Sequence, residues 1–209
     1  MDYLQQLIQR YPRLEKTAAD IQAAFSVIEE SYLGGGKLLI AGNGGSAADA
    51  EHIVGELMKS FVKKRNLPES FIAEIKKIDA AIAEYLIPSL QPGMPAIALS
   101  GHSSLNTAAI NDIDGNITFA QQVYGYGKKG DVFLGISTSG NSKNILYAAA
   151  TAKANTLKII ALTGADGGKL KQYADVSIVV PETETYKIQE LHLPVYHCLC
   201  MMLEERFFS

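Results

Sequence analysis

Five short apolar runs, each followed by small or turn-forming residues, constrain this chain more than any other feature: Lys37 to Ala41, Ala96 to Leu99, Asp131 to Ile136, Lys158 to Leu162 and Val176 to Val180. Runs this short and this rich in Leu, Ile, Val and Ala predict strands buried on both faces. Between most of them lie helix-length stretches, such as Ala47 to Val62 and Ser142 to Ala154. Strand, turn and helix in alternation predict an α/β fold, a central parallel sheet with helices on both sides. Right-handed crossovers then gather the strand C-termini at one edge, where such sheets bind ligands.

The flanks of this repeat are helical. Leu4, Leu7 and Ile8, then Ile21, Phe25, Ile28 and Tyr32, recur at helical spacing, with Pro12 separating two pieces and Gly34-Gly35-Gly36 ending them. Residues 66–93 break the pattern: Phe71, Ile75, Ile78, Ile82 and Tyr85, between Pro68 and Pro88, predict one extra amphipathic helix. Such a segment serves as a lid or specificity element, or more ordinarily packs on a neighbour. The stretch Glu184 to Phe207 also reads as helix, which Pro194 should kink or divide.

With 209 residues and 47% hydrophobic content, the chain suffices for a single domain over 1–209. A net charge of -3 without a basic block argues against nucleic acid. The run Lys63-Lys64-Arg65 is expected to be a helix end facing water. No secretory pattern opens the sequence and no apolar run approaches bilayer length, so a cytoplasmic protein without membrane contact is expected. Cys198 and Cys200 sit two apart on a predicted helix and face different ways, which predicts buried free thiols.

The chemistry gathers at the strand ends. "STSGNS" places Ser137, Thr138, Ser139 and Ser142 between the third strand and its helix, with Gly140 permitting a tight turn. Helix N-termini offer unpaired amides and a positive dipole end, and hydroxyls add donors without a buried cation. Capping and ST-turns account for one or two hydroxyls; four in six residues favour a phosphate group. A second turn, Gly42-Asn43-Gly44-Gly45-Ser46-Ala47, matches the dinucleotide fingerprint only weakly, lacks its downstream acid, and reads better as backbone held close to a small polar ligand. No Walker motif occurs. His52 and Glu56, four apart, share a helix face, ordinarily as a structural pair. Gln189 and His197 lie two turns apart on one side of the last helix. If the fold brings these four together, they can coordinate a divalent metal or run acid/base chemistry.

Taken together, "GNGGSAADAEHIVGE", "AINDIDG", "GDVFLGISTSGNSKNI", "IIALTGADGGKL" and "IQELHLPVYH" resemble the sugar isomerase (SIS) domain, and within it the phosphoheptose isomerase family. The resemblance spans nearly the whole chain apart from 66–93. It implies a flavodoxin-like three-layer sandwich, a homotetramer with active sites between subunits, and conversion of sedoheptulose 7-phosphate to D-glycero-D-manno-heptose 7-phosphate for bacterial surface polysaccharide. It makes Ser137, Thr138, Ser139 and Ser142 the phosphate cradle, and Asn43, Gly44, Gly45, Asn111 and Asp112 sugar-binding positions. Glu56 and Gln189 also match substrate-binding positions. His52, Glu56, Gln189 and His197 match the ligands of one zinc ion per subunit, and Glu56 with His197 the proton-transfer pair. No nucleotide or redox cofactor is implied. The chain departs from the pattern in its longer 66–93 segment, in Tyr186 where several members carry an acid, and in Pro194. Two rivals are a non-catalytic SIS protein of the regulatory or initiator-associating kind, and an isomerase of another sugar phosphate. The retained His52, Glu56, Gln189 and His197 speak against the first.

Overall fold

A computed structural model describes residues 2–208. The five apolar runs form the sheet, each strand bound falling within one residue of its run: β1 (Leu38–Ala41), β2 (Ala96–Ala98), β3 (Val132–Ser137), β4 (Lys158–Thr163) and β5 (Val176–Val179). All neighbours pair in parallel, in the order β2-β1-β3-β4-β5. Alternate residues of β1 to β4 enter opposite cores. Leu38 and Ile40 join the larger one, Leu39 and Ala41 the smaller. This is why the strands read as unbroken apolar runs. The chain reverses direction across the sheet between β1 and β3, and the crevice at such a switch point is where doubly wound sheets bind ligands.

The larger core is covered by α1 (Tyr3–Arg10), α2 (Ala18–Leu33), α3 (Gly45–Met58) and α9 (Thr185–Phe208), the smaller by α7 (Thr118–Tyr126) and α8 (Lys143–Ala154). The short α6 (Ser103–Asp112) precedes α7. A six-residue 3-10 turn from Pro12 to Thr17 separates α1 from α2, with Pro12 leading it. Cys198 and Cys200 are buried free thiols, as expected. Among the described residues, no helix is long and apolar enough to cross a membrane.

Three expectations need correction. First, α3 stops at Met58 rather than Val62, and Arg65 does not face water. Arg65 is 2% exposed and its Nε donates to Glu204 Oε1 at 2.9 Å, a pair with no exposed side-chain surface. The Glu204 carboxylate also accepts the amides of Phe61 (2.8 Å), Val62 (2.8 Å) and Lys63 (3.0 Å). Burial alone would raise its pKa, but the amides of Phe61 and Val62 together with Arg65 hold it below the usual carboxylate range. Arg65 in turn caps the end of α3, donating to the carbonyls of Leu57 (2.7 Å) and Glu56 (2.9 Å). A charge run therefore hides an internal clamp. Second, residues 66–93 contain two helices, α4 (Glu69–Ile78) and α5 (Ala80–Ser89), because Asp79 caps a new start by accepting the Ile82 amide at 3.0 Å. No residue of α4 is buried, and only Ala83 of α5. Third, Pro194 does not divide α9, which runs through it. The donor it lacks would have served Glu190, which is exposed.

Candidate functional site

At the switch point two turns stand side by side. Ala41 of β1 is the register partner of Gly135 of β3, so the turns leaving these strands are neighbours. Asn43 and Asn144 tie them together through a reciprocal amide pair of 3.0 and 2.8 Å. Sequence reasoning missed Asn144; its only signal was a polar residue in the first turn of α8, two places after Ser142. Gly44 adopts φ +56° at the N-cap of α3, a conformation that favours glycine. Asn43, Gly44, Ala47 and Asn144, with Ser100 and Ile110 opposite, line a cleft of about 270 Å³.

The hydroxyl turn is braced from below. Gly140 has φ +64°, and a side chain there would meet Gly167 O at 2.0 Å, so the "TGADGGKL" turn packs directly beneath it. The Leu170 amide donates to Gly140 O at 2.9 Å and the Gly164 amide to Thr138 O at 3.0 Å. The capping explanation fails for Ser142, which makes no side-chain cap bond to α8. Its Oγ instead lies 3.2 Å from Ser137 Oγ. In the first turn of α8 the Ile145 amide donates to Asn144 Oδ1 at 3.0 Å, which leaves the amides of Lys143 and Asn144 to face an anion at the positive end of the helix. Ser139 Oγ accepts the Asn141 amide at 3.2 Å.

A second cluster forms between α3 and α9. Glu56 Oε1 stands 3.1 Å from His52 Nε2, which stands 3.4 Å from His197 Nε2. Burial lowers the His197 pKa and the neighbouring His52 lowers it further, against a smaller opposing effect of Glu56. Behind the cluster, the Tyr196 hydroxyl contacts both His52 Nδ1 (3.0 Å) and Asp49 Oδ1 (3.2 Å). Burial raises the pKa of Asp49 and Tyr196 alike; Asp49 raises that of Tyr196 further. Neither Asp49 nor Tyr196 was singled out from the sequence, although Asp49 precedes His52 by three residues on the same helix.

The remaining candidates lie apart from this cluster. Gln189 sets its amide against Gly45, where a side chain would come within 2.6 Å of Nε2. Gly45 opens α3, so His52 and Glu56 lie about 10 and about 16 Å farther along the axis. Asn111 and Asp112, on the exposed end of α6, bond each other at 2.8 Å. The Met94 amide, just before β2, donates to Leu57 O, which places the end of α3 at the opposite edge of the sheet from the two turns.

The donors suit zinc in kind, two imidazoles and a carboxylate. Ligands about 2.0–2.1 Å from a tetrahedral ion stand about 3.4 Å apart, close to both pair separations. His52 is common to both pairs. Among the described residues, no three His, Cys, Asp or Glu close into one metal-binding group.

Comparison with known proteins decides the kinship. The SIS domain family model matches residues 2–87 and 81–164. The phosphoheptose isomerase of Leptospira biflexa serovar Patoc is 39% identical over 190 residues, covering 91% of this chain and 85% of that protein. This chain belongs to the SIS-domain phosphoheptose isomerase family. A relative from Sulfurimonas denitrificans, with the same description, is 35% identical over 99% of this chain and 96% of its own. The fold follows. A phosphoheptose isomerase structure from Francisella tularensis superposes with a TM-score of 0.77 at 31% identity, covering 97% of this chain and 95% of that one. One from Neisseria gonorrhoeae gives 0.75 at 31% identity, covering 96% and 94%.

Proposed function

We propose that this chain isomerises sedoheptulose 7-phosphate to D-glycero-D-manno-heptose 7-phosphate in the cytoplasm. The observation that carries the proposal is the contact of His52 with both Glu56 and His197, a carboxylate and an imidazole gathered from helices far apart in sequence. Ser137, Thr138, Ser139, Ser142 and the first amides of α8 take the phosphate. Asn43, Gly44, Gly45, Asn111, Asp112 and Gln189 hold sugar hydroxyls. One member of the Glu56/His197 pair removes a proton from C1 of the ketose as O2 takes one up, giving a cis-enediol. The other returns a proton to C2 as the O1 hydroxyl gives up its own, leaving the aldehyde at C1 with no net change in protons.

A zinc ion held by His52, Glu56 and His197 would polarise the substrate carbonyl. Gln189, whose amide lies at Gly45, would supply a fourth donor from a second copy of the chain. The hydroxyl turn and the Glu56 end of α3 lie at opposite sheet edges, which favours a homotetramer whose sites join the turns of one subunit to the helical cluster of another. Exposed apolar side chains such as Ile78, Tyr85 and Ile113 are consistent with burial against further copies.

The deciding experiment is a panel of ketose phosphates assayed for aldose formation, before and after chelation and zinc return, with mass measured by light scattering. Turnover of the heptulose supports the reading. Turnover of a different phosphosugar alone would relocate the substrate, and phosphate binding without turnover would mark a binding protein.

A further inference from the structure

The phenol of Tyr196 carries one proton and faces two groups that can accept it, Asp49 Oδ1 at 3.2 Å and His52 Nδ1 at 3.0 Å. Asp49 Oδ2 is buried without a partner, and among the described residues Tyr196 is the donor that Asp49 has. A proton directed at His52 would leave this carboxylate bare, a larger penalty than the gain of one neutral hydrogen bond. Directed at Asp49, it leaves the phenol oxygen free to accept His52 Nδ1–H, and all three groups are served.

We propose that Tyr196, oriented by Asp49, is a positioning residue that locks His52 in its Nδ1–H tautomer and so aims the Nε2 lone pair at Glu56 and His197. Two acceptors, His52 Nε2 and Glu56 Oε1, then face each other at 3.1 Å. Such a pair calls for an electrophile between them, a divalent cation or a substrate hydroxyl. Without the lock, Glu56 would draw the imidazole proton onto Nε2 and close the cluster on itself. The Tyr196 ring meets both imidazoles edge-on, with centroids 5.5 Å from His52 and 5.0 Å from His197, which restrains their rotation as well. The inference deepens the zinc reading, but its test in metal-free protein stands whether or not zinc binds.

The test is two-bond proton–nitrogen NMR on metal-free protein labelled at histidine, for the wild type, Tyr196→Phe and Asp49→Ala. His52 should carry its proton on Nδ1 in the wild type and on Nε2 in both variants. Asp49→Ala keeps the phenol but frees its proton for Nδ1, so it decides the matter if Tyr196→Phe does not fold. Zinc titration should show about 10–100-fold weaker binding in Tyr196→Phe. An Nε2–H proton in the wild type, or an unchanged tautomer in a folded variant, overturns the proposal. Wild-type protein with the Nδ1–H tautomer and no zinc affinity would instead overturn the zinc reading alone.

Discussion

The two halves of the candidate site are built by different means. The sheet-edge half consists of neighbouring turns whose donors are backbone amides, hydroxyls and the Asn43–Asn144 amide pair. The helical half consists of titratable side chains on α3 and α9, held by contacts across more than a hundred residues, such as Tyr196 to His52 and Arg65 to Glu204. The first half suits binding, since its donors are set by strand register and cost little to desolvate. The second suits proton transfer, since its groups titrate, and it depends on whatever holds α3 against α9. Binding and chemistry should therefore fail separately.

The largest effect should come from the helical half. Glu56→Gln and His197→Ala are each expected to lower kcat by about 10²–10⁴-fold, while inorganic phosphate binding, read by calorimetry, stays near wild type. Loss of phosphate binding in both variants would erase the division proposed here. Arg65→Ala strands the buried Glu204 carboxylate and should cost about 3–5 kcal/mol in urea unfolding. Replacing both partners, Arg65→Met with Glu204→Leu, should cost much less. Equal losses would show that Arg65 acts by packing, for instance on the Phe208 ring 4.6 Å away, rather than by charge.

A pH effect should strike beneath the sheet-edge half. His192 of α9 is fully buried, with no hydrogen-bond partner of good geometry for either ring nitrogen. Burial pushes its pKa from 6.5 down to about 4, with the backbone of Thr163, the register partner of Ser137, opposing weakly. The unfolded chain therefore takes up this proton first as pH falls. Stability should drop by about 3 kcal/mol between the unfolded pKa of 6.5 and the folded value of about 4. His192→Gln should lack that share of the slope; an unaltered slope would assign it to the carboxylates. Smallest of all, Ser137→Ala and Ser142→Ala each remove one hydroxyl of the proposed phosphate cradle, an expected loss of about 1.5–3 kcal/mol. This should appear mainly as a raised KM, and an unchanged KM in both would move the phosphate elsewhere.

The sequence disclosed the sheet-edge half because its causes are local. Strand runs buried on both faces are apolar at every position, and a turn with Gly140 at positive φ must be short and small. Much of the helical half had remote causes. Lys63-Lys64-Arg65 looks like any solvated charge run until Glu204 is known to reach back for it. The early end of α3 has the same origin, since the amides of Phe61, Val62 and Lys63 leave helical geometry to meet that carboxylate. His52 and Glu56 were recognisable by spacing, but their meeting with His197 was not. Nor was the split at Asp79, where one short acid outweighed a continuous apolar stripe.

The Arg65 guanidinium also donates to Pro92 O at 3.2 Å, and the Ser60 amide to Gln91 Oε1 at 2.6 Å, so the departing and returning strands of the α4–α5 hairpin are fastened at one place. A segment stapled at its neck transmits little of its own length or shape to the sheet. Descendants of this protein can therefore lengthen, trim or exchange the hairpin with modest entropic penalty, and an engineer can graft a reporter at its tip for the same reason.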